Sequence, residues 1–250
     1  MRTTKLSGVI GITVLSAALL TGCGDGDDGG GGSDKPFAKD SADRIAAKAV
    51  AATKGADSMR LKGDMKQPDG KSVSLDLAVD QEKNCQGTVD TAGSKAELRH
   101  TNGTLYVRGN EQYWKTALKN RPGSDKVLAK VADKWVKMPA DDASTSGMCD
   151  KQGLVASMDE DKSSRKGLKK GDTTSVDGKE AIMLTKKASG GETHTLYVAT
   201  EGKPYILRSS VKGGDKPNEA TFSDYNKPVS PKAPGKGETV DLKELAASGQ

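Results

Sequence analysis

The spacing of hydrophobic and polar positions changes three times along the chain. From Asp40 to Lys54, Ile45, Ala46, Ala49 and Val50 fall on one helical stripe, with Asp40 or Ser41 placed to cap it. The stripe is mostly alanine, so this helix can lie close against a sheet. The period then drops to two. Met59, Leu61, Gly63 and Met65 alternate with Arg60, Lys62, Asp64 and Lys66, and Pro68-Asp69-Gly70 is a turn. Leu75, Leu77 and Val79 then alternate with Ser74, Asp76, Ala78 and Asp80, which predicts an antiparallel hairpin with one wet face. Strands follow near Cys85–Asp90 and Lys95–His100. Asn102-Gly103, the strongest hairpin turn in the chain, leads into Thr104–Arg108.

The middle, about 111–170, reads as helical. Val127, Leu128, Val131 and Trp135 have helix-like spacing, and a second helix is expected from Lys151 into the 160s. There Asp159, Glu160 and Asp161 precede Arg165, Lys166, Lys169 and Lys170, the pattern of a solvated helix face with opposite charges one turn apart. Strands return at Ala181–Lys186, Thr193–Ala199, Pro204–Val211 and Glu219–Tyr225. Residues 227–237 read as a loop, and Thr239–Ala247 as a short closing helix. Nothing marks a linker within 37–250. One sheet built from both ends of the chain, with the central helices folded onto it, explains this order better than two domains.

The first 22 residues read as a secretion signal. Arg2 and Lys5 form a positive start, and the apolar stretch Val9–Leu20 is too short for a permanent span. Leu20-Thr21-Gly22-Cys23 resembles the bacterial lipobox. That resemblance implies that Cys23 is diacylated on its sulfur and becomes the mature N-terminus, anchoring the protein to the outer face of the cytoplasmic membrane. Residues 23–36 are then a lipidated tether, rich in Gly and Asp. Asp25, Asp27 and Asp28 lack the glutamate that an EF-hand loop would need, because Pro36 stands in its place.

Composition narrows the class. Of 250 residues, 34% are hydrophobic and 4% aromatic, with 30 Gly, so the core is thin for the length. The leader holds two of the 39 basic residues and none of the 34 acidic ones, leaving the mature chain at +3. That weak, dispersed excess does not make the concentrated patch that nucleic acids require. Cys85 and Cys149 are an even pair in an oxidising compartment, and a disulfide is the first reading, with two free thiols as the alternative. No CxxC spacing supports redox catalysis.

Evidence for catalysis or metal binding is sparse. His100 and His194 are the only histidines, and no carboxylate partner is evident for a metal site. Ser163-Ser164-Arg165-Lys166 and Ser209-Ser210-Val211-Lys212 fit Ser-x-x-Lys, but its companion motifs are missing, as are a nucleophile elbow and a Walker loop. Asn102-Gly103-Thr104 fits a glycosylation sequon that its hairpin role already explains. The expectation is a non-enzyme without metal or cofactor.

Several segments carry a family resemblance. They are the lipobox and tether, the Ala-rich helix leading into Met59-Arg60-Leu61-Lys62-Gly63, and Gly103-Thr104-Leu105-Tyr106-Val107-Arg108-Gly109. Trp114, Lys134-Trp135-Val136-Lys137-Met138-Pro139, Thr195-Leu196-Tyr197-Val198-Ala199 and Phe222-Ser223-Asp224-Tyr225 complete the set. Together they resemble the LolA-like lipoproteins, in particular the actinobacterial LppX and LprG type, over most of 37–245. The resemblance implies an α+β fold in which a curved antiparallel sheet, a half-barrel, wraps over a few helices. It also implies that acyl chains are held between sheet and helices. Leu61, Leu75, Leu77, Leu105, Val107, Trp114 and Trp135 are then candidates for the cavity lining, with core packing as the alternative role for both tryptophans. The resemblance implies that a lipid ligand is bound, with carriage as a further role. With only two Phe, and with Ala, Thr, Lys and Asp at many strand positions, the cavity is expected to be small or closed. The alternative is an envelope sensor or scaffold whose outer surface binds a protein or a cell-wall polymer.

Overall fold

The structure, a computed structural model, describes residues 37–66, 70–119, 123–138, 147–157, 166–214 and 217–247. The expected signal peptide, the tether and Cys23 lie outside these residues, as do Pro68, Asp69, Asp159–Asp161, Ser163 and Arg165. The unit that holds the described fold spans Pro36–Gln250.

Helix α1 (Ala42–Lys54) leads into five antiparallel strands, β1 (Ser58–Lys66), β2 (Ser72–Asp80), β3 (Cys85–Thr91), β4 (Ser94–Thr101) and β5 (Thr104–Gly109). Next come α2 (Glu111–Ala117), α3 (Ser124–Val131), the short β6 (Trp135–Lys137), a 3₁₀ turn (Gly147–Cys149) and α4 (Lys151–Ser157). The last part comprises β7 (Lys169–Val176), β8 (Lys179–Lys187), β9 (Thr193–Ala199), β10 (Ile206–Lys212), β11 (Asn218–Ser223), β12 (Thr239–Asp241) and α5 (Leu242–Ala247). The described strands form one open sheet in the order β12-β6-β5-β4-β3-β2-β1-β11-β10-β9-β8-β7. The two ends of the chain meet where β1 pairs with β11, with Leu61 opposite Phe222. Every pairing is antiparallel except β6 with β12. The α+β class and the single open, almost wholly antiparallel sheet are those expected from the sequence.

Three local expectations are corrected. Lys169 and Lys170 stand on strand β7, not on a helix. Trp135 begins a strand. Thr239–Asp241 pairs with β6 before the closing helix starts.

Strand alternation divides the sheet into two faces. Met59, Leu77, Val79, Cys85, Leu98, Leu105, Val107, Val198, Leu184 and Phe222 point to the inner face, where the helices pack. Ser41 caps α1 by accepting from the Arg44 N–H. The alanines of α1 let it lie against β9 and β10. There Thr53 Oγ1 accepts from the Ile206 N–H at 3.1 Å, and Tyr225 donates to the Ile206 carbonyl at 2.5 Å. Both bonds fall where the β9–β10 register shifts, so they satisfy backbone groups that the bulge disturbs.

The outer face is polar. Arg60 forms two bonds with Asp76, at 2.6 and 2.9 Å, and Glu97 accepts from Arg99 and Arg108. The segment 226–238 crosses this face, tied by Ser58 to the Lys227 carbonyl, Arg99 to that of Lys232 and Lys134 to that of Gly237. A small apolar cluster, Val176, Ala181, Ala199 and Leu207 with Tyr197 against it, covers the β7–β10 end.

Two buried titratable groups set the alkaline behaviour. Lys151, 1% exposed, donates to the Lys54 carbonyl at the end of α1. Burial pushes its ammonium below the usual lysine range, while the Asp57 carboxylate opposes the shift. Burial pushes the Tyr225 phenol well above its usual range. The unfolded chain therefore holds the lysine proton to higher pH than the folded one, and this group adds stability as pH rises towards the unfolded lysine value. The tyrosine acts in the opposite sense, and its stability is lost once pH passes the unfolded value of about 10. In denaturant titrations across pH, Lys151→Met is expected to flatten the rising limb and Tyr225→Phe the falling limb. An unchanged profile in either variant contradicts the assignment.

Candidate functional site

The apolar hollow lies on the inner face at one rim of the sheet. A pocket of about 370 Å³ is bounded by Val89, Ala96 and Leu98 on β3 and β4, by Tyr113, Thr116 and Ala117 on α2, and by Met148 from the 3₁₀ turn. Lys71, Thr91, Ala92, Ser94 and Gln112 complete its lining. Small residues leave the space, since Ala96 faces Gly109 on β5 and follows Ser94 on the inner face of β4.

The walls are fixed by side-chain bonds from α2 to the strands. Asn110 caps α2, its Oδ1 accepting from the Tyr113 N–H at 2.9 Å and from the Lys95 N–H at 3.1 Å. Its Nδ2 donates to the Gly93 carbonyl at 2.8 Å, and Gln112 Nε2 donates to the Ala92 carbonyl at 3.1 Å. Two side chains thus tie α2 to the β3–β4 turn that edges the pocket. The third wall depends on a disulfide. Cys85 and Cys149 are bonded, 64 residues apart, and this bond pins the 3₁₀ turn and its Met148 against β3. The Gly153 N–H, together with Lys83, holds the Asp150 carboxyl next to this turn below the usual carboxylate range.

The cavity candidates named from sequence are distributed differently. Leu77, Leu105, Val107 and Trp114 are buried in the main core, and Leu61 packs against it. Leu75 is half-buried on the inner face of β2. None of these residues lines the pocket. Trp114 is 1% exposed and meets Tyr113 edge-to-face, so it supports the α2 wall from behind. Trp135 lies on the opposite face. Val136 pairs with the inward Val107, which turns Trp135 outward. It is buried there under Arg99 and Arg108, whose guanidinium carbons sit 4.3 and 4.9 Å from its ring centre. Sequence reasoning missed Val89, Ala96, Leu98, Tyr113 and Met148. Val89 and Leu98 stand on strands whose alternation already marked their inward face.

The other candidates do not converge. His100 on β4 and His194 on β9 are separated by five strands, and each has a local partner, the Lys83 carbonyl and Glu192. Ser209 and Lys212 on β10 are three residues apart, which on a strand puts them on opposite faces. Asn102 and Gly103, both at positive φ, form the β4–β5 turn.

No family model matches the chain, and no curated protein matches it. Solved structures do. LprF from Mycobacterium bovis is 16% identical, with a TM-score of 0.52, covering 77% of this chain and 96% of that one. Lipoprotein LppX from Mycobacterium tuberculosis is also 16% identical, with a TM-score of 0.46, covering 75% and 96%. A LolA superfamily protein from Nitrosomonas europaea is 9% identical, with a TM-score of 0.27, covering 76% and 95%. The likeness is one of fold.

Proposed function

We propose that this chain is a lipoprotein of the cell envelope, anchored through Cys23 at the outer face of the cytoplasmic membrane, that binds an apolar ligand of the lipid class. The observation that carries this reading is the apolar pocket between the β3–β4 hairpin and α2. Its volume of about 370 Å³ stands near the low end of ligand sites, roughly 300–1,000 Å³. It suits one apolar chain or ring rather than a bundle of chains. Binding would be driven by burial, roughly 0.8 kcal/mol per methylene. No covalent chemistry, metal or cofactor is required, and the reading is of a binding protein rather than an enzyme.

The fold supports this reading because its helices meet the sheet on one face only, leaving the hollow between them at the rim. Ala117 offers a direct test. It is exposed on α2 and lines the pocket. Ala117→Trp is expected to fill the hollow and weaken a fluorescent single-chain fatty-acid probe at least tenfold, with the unfolding midpoint little changed. Equal probe affinity in the variant contradicts the site.

A second reading has its own observation. Two open hollows, of about 510 and 560 Å³, share Thr88 and Glu97 on the outer face and are edged by Arg60, Arg99 and Arg108. They favour an envelope scaffold that holds a polar chain. Probe binding lost in Ala117→Trp decides for the pocket.

A further inference from the structure

The strand registers place the pocket mouth, the entry of the chain and a row of lysines at the same rim of the sheet. Lys66 faces Ser72 at one end of β1, and Met65 faces Asn218 on β11. Val211 also faces Asn218, Lys212 and Lys187 both face Thr193, and Lys169 faces Thr185. The β3–β4 turn, Ala92-Gly93, is at this rim too, and with Lys71 it borders the pocket. The first described residues, Phe37 to Asp40, lie here as well. Lys170 donates to the carbonyls of Phe37, Ala38 and Asp40, at 2.8, 3.3 and 3.1 Å, and so fastens the first described residues to the start of β7.

The two rims differ in charge. Lys39, Lys66, Lys71, Lys169, Lys187 and Lys212 are exposed at the pocket rim. Of the acids there, Asp90 is paired with Lys95, Asp40 with Lys48 and Glu219 with Arg208, while Asp64 accepts from the Ser74 hydroxyl and Glu192 lies beside His194. The opposite rim carries exposed Asp57, Glu82, Asp177, Glu180 and Glu201 together with exposed Lys83, Lys179, Lys203 and Lys227, so its charges largely offset one another. Lysines are thus in excess at the pocket rim and balanced by acids at the other.

We propose that the lysine-bearing rim docks on an anionic lipid surface, with the pocket mouth turned towards that surface. The inference rests on the reading of the chain as an anchored lipid binder. It assigns to the rim a role that the anchor alone does not supply. A tethered domain would be free to rotate. Lysines near a negatively charged leaflet each add to attraction within a Debye length, which orients the domain. A ligand leaving the bilayer would then enter the pocket without crossing water.

The test uses the mature chain with Cys23→Ser, so that no acyl group contributes. Sedimentation with phosphatidylcholine vesicles is compared with vesicles that also contain phosphatidylglycerol, at low and high salt. Binding is expected only to the anionic vesicles, and it is expected to disappear at high salt. Lys66→Glu, Lys187→Glu and Lys212→Glu together are expected to weaken it roughly 100-fold or more, whereas Lys179→Glu with Lys203→Glu at the other rim leaves it unchanged. Equal binding by the two charge variants, or no preference for anionic vesicles, overturns the proposal. Uptake of the soluble fatty-acid probe is measured on the same samples. Vesicle binding lost with probe uptake kept shows that the rim and the pocket act separately. If the unmodified rim shows no vesicle binding while the probe still binds, docking fails and the pocket reading stands.

Discussion

Replacing Cys85 and Cys149 by alanine is expected to lower the unfolding free energy by about 4 kcal/mol in the chain-entropy description. That is a large part of the roughly 5–15 kcal/mol of a typical domain. The cross-link joins the start of β3 to the 3₁₀ turn before α4, 64 residues later. It therefore restricts the unfolded chain across three further strands, β4, β5 and β6, and the helices α2 and α3. Both sulfurs are in the main core, so the loss is not offset by solvation of the replaced positions. The thin core makes the chain depend on this bond more than a Leu-rich domain would. The effect extends to the site, because the same bond holds Met148 at the pocket wall. Guanidinium unfolding of the double variant should show the shifted midpoint, and the fatty-acid probe should bind more weakly. A midpoint moved by less than about 1 kcal/mol contradicts a structural role.

Trp114→Ala is expected to cost about 3–5 kcal/mol, the range for removing a large buried aromatic. Trp114 is 1% exposed and packs between α2 and the inner face of β4 and β5. Gly109 leaves room for it, since a Cβ there would collide with the Tyr113 ring and crowd Trp114 Nε1. The indole N–H itself has no hydrogen-bond partner among the described residues. Trp114→Phe removes this orphan donor while keeping most of the buried area, so its cost is expected to stay below about 2 kcal/mol. Denaturant midpoints for the two variants check this. Equal losses contradict the view that apolar area, not the indole nitrogen, does the stabilising.

The strands legible in the sequence were those with one buried face. Leu75, Leu77 and Val79 alternate with polar residues because β2 lies between the helices and water. The edge strand β7 escaped the same reading. Its residues from Lys169 to Thr173 are exposed on both faces, and only half-buried Thr174 and buried Val176 depart from this, so no alternation marks it. The three-residue β6 was too short for its period to show, and Trp135 joined a false helical row with Val131. Its burial comes instead from two arginines on neighbouring strands, a contact that sequence spacing cannot reveal. The disulfide was legible from the count of cysteines and their compartment. The pocket was not, because it arises from a small residue, Ala96, at a place where a helix cap and a turn 17 residues away are bonded together. The large residues chosen as lining were the ones that fill the core.

Native mass spectrometry of the mature protein, purified from its own envelope or incubated with envelope lipids, tests the central claim most directly. The expected result is a bound mass that organic extraction removes and returns as a lipid, and that is absent from Ala117→Trp. A clean unliganded mass in the wild-type chain after the same incubation would contradict an apolar ligand site between the β3–β4 hairpin and α2.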